Sequence, residues 1–167
     1  DTRFVFAYMG YQPDEAAIRW LTSVFNQYPE RVGVLAVHDY FKTDLSLYDS
    51  GRALQKAVLA QCPNVYLVLS GHRYNVAAVP VSFDDDGDGT AERTVYQMIA
   101  NYQAAGSEGG SGYMRFLQID EAAGELRAYS YSPYLEDYRY WDEPGTENEK
   151  YPVDPANEEI TLPLPWA

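Results

Sequence analysis

Three uninterrupted apolar runs constrain this chain more than any other feature: Phe4–Met9 (FVFAYM), Val32–Val37 (VGVLAV) and Val65–Leu69 (VYLVL). A strand with one wet face alternates apolar and polar residues. A continuous run fits a strand covered on both faces, as in a parallel sheet. Helical patterns separate the runs. Gln12-Pro13-Asp14-Glu15 puts proline in a first turn and acids near the positive end of the helix dipole. Ala17, Trp20, Leu21, Val24, Phe25 and Tyr28 then recur at helical spacing until Pro29. Asp49 or Ser50 can cap a second helix, with Leu54, Ala57 and Val58 on its apolar face and Cys62-Pro63-Asn64 at its end. Residues 1–76 therefore predict a parallel β-α-β-α-β unit with helical crossovers.

The pattern changes near residue 76. Ala77–Phe83 alternates, Asp84-Asp85-Asp86-Gly87-Asp88-Gly89 is an acidic turn, and Glu92–Tyr102 reads as a strand or mixed segment. Gly106–Gly112 (GSEGGSG) reads as a flexible loop. Tyr113–Ile119 and Leu126–Tyr131 flank Asp120-Glu121-Ala122-Ala123-Gly124-Glu125, a hairpin pattern. The expectation is an α/β fold: the parallel unit, antiparallel strands over 77–140 and an irregular tail over 141–167. A length of 167 residues suits one domain, 1–167.

Charge narrows the partners. Twelve Lys+Arg stand against 25 Asp+Glu, a formal charge of −13. Binding a phosphate backbone needs cations, so nucleic acid is not expected as a main partner, nor is adsorption to anionic lipid. No apolar run approaches the roughly 20 residues of a membrane span. The single cysteine, Cys62, excludes an intramolecular disulfide and a cysteine-based zinc site. The chain opens at Asp1, directly before an apolar run, which reads as a fragment of a longer protein.

The two histidines, His38 and His72, each follow a predicted buried strand. Ligands of open α/β sheets gather beyond the carboxyl ends of the strands. Neighbouring parallel strands would bring both imidazoles to one edge, where they suit zinc, iron and similar ions. Gly71 is expected to supply the tight turn before His72. Two loop-edge histidines held by ordinary hydrogen bonds are the other reading. Two imidazoles do not complete a catalytic site, since a zinc centre takes about three protein ligands and a two-metal centre needs bridging carboxylates.

The order strand–His38-Asp39-Tyr40, helix, strand–Ser70-Gly71-His72-Arg73-Tyr74 resembles the C-terminal half of calcineurin-like metallophosphoesterases, which carry a strand-end His and then Gly-His-x-His. Ile18-Arg19-Trp20-Leu21, Val95-Tyr96-Gln97-Met98, Asn101-Tyr102-Gln103, Arg115-Phe116-Leu117-Gln118 and Tyr129-Ser130-Tyr131-Ser132-Pro133 are similar to secreted bacterial members. The resemblance spans roughly residues 4 to 140. It implies half of the family's four-layer sandwich, a hydrolase (phosphatase) acting on phosphate mono- or diesters, and divalent ions of the Zn, Fe or Mn class. It places His38 and His72 on the second metal. The second His of the motif is replaced here by Tyr74, at a further ligand position. The family's Asp-x-His, Gly-Asp and Gly-Asn-His motifs are not found, so the fragment is expected to be inactive alone. The resemblance also implies an extracellular or cell-surface location and a bare surface where the missing half would pack, open to homodimerisation.

Two further features stand apart. Asp84, Asp86 and Asp88, followed by Gly89, match positions one, three, five and six of a calcium loop. Val95 occupies position twelve, where a bidentate Glu belongs, and Glu92 at position nine can substitute in part. An ordinary Asp-Gly turn reads equally from these residues. Tyr129, Tyr131, Tyr134, Tyr138, Tyr140, Trp141 and Tyr151 cluster late in the chain. They can bury the antiparallel sheet and tail, or be exposed for stacking on sugars. The second makes the chain a non-catalytic carbohydrate- or surface-binding module with a calcium loop.

Overall fold

The computed structural model describes residues 2–103, 109–142 and 154–166. They form a mixed α/β structure with few helices, divided into two compact units. The first comprises 1–73 and 78–99, the second 74–77 and 100–167.

In the first unit the expected strand–helix alternation is present: β1 (Phe4–Met9), α1 (Glu15–Gln27), β2 (Val32–Val37), α2 (Asp49–Leu54) and β3 (Val65–Ser70). Strands β1, β2 and β3 pair in parallel. Asp14 caps α1, its carboxylate accepting from the Ala17 amide at 2.8 Å. At the other end, the Asn64 side-chain amide donates to the carbonyls of Phe25, Tyr28 and Arg31 at 3.0–3.2 Å. A residue from the turn before β3 thus satisfies carbonyls that the helix leaves open. Leu21 and Phe25 are fully buried. Gly33 gives Phe25 its seat, because a Cβ there would stand 3.0 Å from the ring.

The second helix departs from expectation at both ends. Its N-cap is Tyr48, which makes no side-chain cap bond. The hydroxyl of Ser50 turns instead to Asp39, and Asp49 pairs with Arg52. The helix then widens into a π-helical turn, Gln55–Leu59, that buries Val58 and Leu59. Thr22 Oγ1 in α1 donates to Ala57 O at 2.9 Å within this turn.

After β3 the chain runs through β4 (Asn75–Phe83) and β5 (Arg93–Asn101). The sheet order is β1-β2-β3-β5-β4. The 77–140 segment is therefore not antiparallel throughout, because β5 pairs with β3 in parallel, Leu67 opposite Tyr96. The hairpin returns β5 into the slot beside β3 and leaves β4 outside, so Val95, Met98 and Ile99 are buried. The first apolar run also differs: β1 buries Val5 and Ala7 but leaves Phe6 52% and Tyr8 70% exposed. As the edge strand it is covered on one face only.

The second unit contains β6 (Met114–Asp120), β7 (Glu125–Tyr131) and β8 (Ile160–Pro163), antiparallel in that order. The β6–β7 hairpin is as expected. The tail is not irregular throughout, since β8 adds to β7 with Ile160 opposite Ala128. Tyr74, Val76, Tyr102, Tyr113 and Tyr140 form an aromatic core. Tyr140 meets Tyr102 and Tyr113 edge-on, at centroid separations of 4.8 and 5.3 Å. Residues 106–108 of the expected glycine-rich loop, and Tyr151, lie outside the described residues. Among the described residues no helix is long and apolar enough to cross a membrane.

Candidate functional site

The parallel register of β2 and β3, with Val37 opposite Ser70, levels the carboxyl ends of the two strands. His38 follows the first directly, and Gly71 N–H donates to its carbonyl at 3.3 Å. His38 Nε2 and His72 Nδ1 stand 3.0 Å apart. The sequence-predicted juxtaposition is therefore present. The backbone device differs from expectation: the left-handed residue is His72 itself, at φ +63°, not Gly71. An L-residue there costs about 1–2 kcal/mol, so the surrounding bonds hold His72 against its own preference. Arg73 N–H donates to Gly71 O at 2.8 Å and closes the turn around it. The Arg73 Nε–H donates to the hydroxyl of Tyr48, and its guanidinium lies 5.7 Å from that ring's centroid.

Three residues that sequence reasoning missed, or gave no role, position the pair. Tyr11 in the β1–α1 loop packs against both imidazoles, at 5.8 Å from His38 and 5.4 Å from His72. Asp39, fully buried, accepts from the Gln12 backbone amide at 2.9 Å and so ties down the loop that carries Tyr11. Its other oxygen accepts from Ser50 at 3.4 Å. Tyr40, also fully buried, donates to Gln97 Oε1 at 2.5 Å. Burial holds its phenol well above the ordinary tyrosine range. The usable signal was the triplet His-Asp-Tyr after a strand: the first residue can face the edge while the next two anchor it below.

Tyr74, expected at a further ligand position, is buried in the second unit, where its oxygen accepts from the Tyr140 hydroxyl.

The acidic loop between β4 and β5 brings Asp84, Asp86, Asp88 and Glu92 together, one carboxylate oxygen of each within 4.8 Å of the others. Asp84 accepts from the amides of Gly87 and Gly89 at 2.6 and 2.8 Å, and both glycines adopt positive φ. Arg93 binds Asp85 through two bonds of 2.6 and 2.9 Å, which points Asp85 away from the cluster's ligand set. Val95 falls inside β5 and is buried, so the loop returns to a strand and not to a helix.

The late aromatics divide. Tyr140 is buried, whereas Tyr134 and Tyr138 are exposed. On the outer face of the β6–β7 hairpin, Phe116 stacks on Tyr129 at 5.5 Å, and Tyr138 packs on Tyr131 at 4.6 Å. The cluster therefore contains both buried and exposed members.

No family model matches the chain. It is 38% identical over 139 residues to the uncharacterized protein YvnB of Bacillus subtilis (strain 168). That match covers 83% of this chain and 11% of YvnB, so the chain spans about a ninth of that relative's length.

Proposed function

We propose that this chain is the C-terminal portion of a secreted, metal-dependent phosphoesterase of the calcineurin-like type. In this reading His38 and His72 are two ligands of one divalent ion, of the Zn, Fe or Mn class. One observation carries it, the 3.0 Å approach of His38 Nε2 and His72 Nδ1. With metal–nitrogen bonds of about 2.1 Å, two ligands at a right angle lie about 3.0 Å apart, and at the tetrahedral angle about 3.4 Å. The donor set fits as part of a site. The unfavourable φ of His72 supports a functional geometry, because such strain persists where the surroundings enforce it.

A bound ion would polarise a phosphoryl oxygen and activate the attacking water. The chain's own residues then have limited tasks. His38 and His72 hold the ion through neutral ring nitrogens, Tyr11 fixes their ring planes, and Asp39 fixes Tyr11. The other ligands come from further polypeptide, which accords with a relative of which the match covers only 11%. The chain alone is therefore inactive, and its substrate is a phosphate mono- or diester met by the complete protein.

Calorimetric titration with Zn2+ tests the pair. His38→Ala and His72→Ala are each expected to weaken binding at the histidine site by at least about tenfold. Unchanged affinity in both variants would overturn the assignment. p-Nitrophenyl phosphate with added Mn2+ tests the fragment claim. No turnover is expected, and metal-dependent turnover lost in His38→Ala would contradict it.

The geometry of the acidic loop favours a second reading, a calcium site on Asp84, Asp86, Asp88 and Glu92. Calcium is expected to raise the thermal midpoint of the wild type and not of Asp86→Ala. A titration with no heat and no thermal shift would remove this reading.

A further inference from the structure

The second unit carries a pocket of about 350 Å3 that reaches from Arg127 and Tyr129 on one side of β7 to the buried Ser130 and Glu158. Its volume lies at the small end of the usual range for ligand sites, about 300–1,000 Å3. Tyr129, Tyr138 and Trp141 supply aromatic wall, and Gln118 and Arg127 add polar groups. Glu158 also lines it while being 1% exposed. One oxygen of Glu158 is occupied: Oε2 accepts from Ser130 Oγ, with Arg115 Nη1 at 3.5 Å. The other, Oε1, is buried and has no hydrogen-bond partner among the described residues. Such a group is destabilising, more so when charged, and calls for an explanation.

Formal charge narrows the occupant. Arg127 and Glu159 pair and cancel, which leaves Arg139 and the carboxyl of Glu158, so the lining carries at most one net charge. A cation would face the two arginines and an anion the two carboxylates. A neutral ligand rich in hydroxyls meets neither penalty. Its C–H face can lie on tyrosine rings and a hydroxyl can donate to Glu158.

We propose that this pocket binds a neutral saccharide unit, stacked on Tyr129 and Tyr138, with one sugar hydroxyl donating to Glu158 Oε1. The site belongs to the second unit and stands whether or not the histidine pair holds an ion.

Saturation-transfer NMR and calorimetry on the whole chain test it with cellobiose, lactose, mannobiose and N,N′-diacetylchitobiose. Tetramethylammonium and inorganic phosphate serve as charged comparisons. At least one disaccharide is expected to bind. Tyr138→Ala removes a side chain that is 59% exposed, and a cooperative melting curve checks that the variant folds. It is expected to weaken binding at least about fivefold. Glu158→Gln is expected to weaken it as well. Tyr134→Ala, an exposed tyrosine outside the pocket, is expected to bind as the wild type does. Three outcomes would each overturn the proposal: no binding of any of the four sugars, undiminished binding by Tyr138→Ala, or binding of only the charged probes.

Discussion

Glu158 illustrates how a single residue acquires a property that its neighbours in sequence do not suggest. It is one acid among several in the tail, yet it is almost wholly buried, and burial raises its carboxyl pKa. The Ser130 bond and the Arg115 charge oppose that rise without cancelling it. The folded state therefore keeps the proton at pH values where the unfolded chain, near about 4.3, has lost it. Its stabilising contribution is present below the unfolded value and is lost as pH climbs through the folded one. Glu158→Gln removes this titration. Between about pH 4 and pH 7, wild-type thermal midpoints should fall relative to those of the variant as pH rises. Circular-dichroism melts over that range measure the difference, and parallel curves would mean that Glu158 does not titrate differently on folding. His38 and His72 differ from Glu158 in that their positions after two apolar runs already suggested an edge. Tyr11 gave no such signal, because its importance lies in the loop that Asp39 ties down.

At the scale of elements, helix α2 depends on a close approach. A Cβ on Gly51 would lie 2.5 Å from the Tyr40 carbonyl oxygen, which is backbone and cannot rotate aside. Alanine improves helix propensity by about 1 kcal/mol, while overpacking costs about 1–3 kcal/mol or more. At this distance the steric term wins. Gly51→Ala is expected to lower the thermal midpoint by several degrees, which a melting curve would show, and an unchanged or higher midpoint would mean that the backbone yields. The apolar runs of β1, β2 and β3 were legible because six residues suffice to display a continuous pattern. Strand β8 was not, since Ile160-Thr161-Leu162-Pro163 is too short to show a period and takes its order from β7. The parallel placement of β5 was equally hidden. Alternation along a strand says nothing about which neighbour it pairs with.

For the molecule as a whole, the uncovered face of β1 is the feature with the clearest consequence. Phe6 and Tyr8 expose aromatic area on an edge strand, and Phe4 packs against Phe6 at 6.1 Å. Under the fragment reading this face is covered in the complete protein by further polypeptide, and the isolated chain should self-associate through it. Light scattering is expected to give a mass that rises with concentration, reduced by Phe6→Glu. A monomer at all concentrations would mean that the exposed aromatics are tolerated singly. The sequence by itself determined the alternation of strands and helices in the first half, the edge to which the two histidines go, and the acidic loop, because each rests on local periodicity or on residues close along the chain. Tertiary structure alone decided the left-handed turn at His72, the loop clamp from Asp39 to Gln12, the slot taken by β5 and the pocket around Glu158. These arise from contacts between residues far apart in sequence, whose free energy depends on burial and pairing that no local pattern encodes.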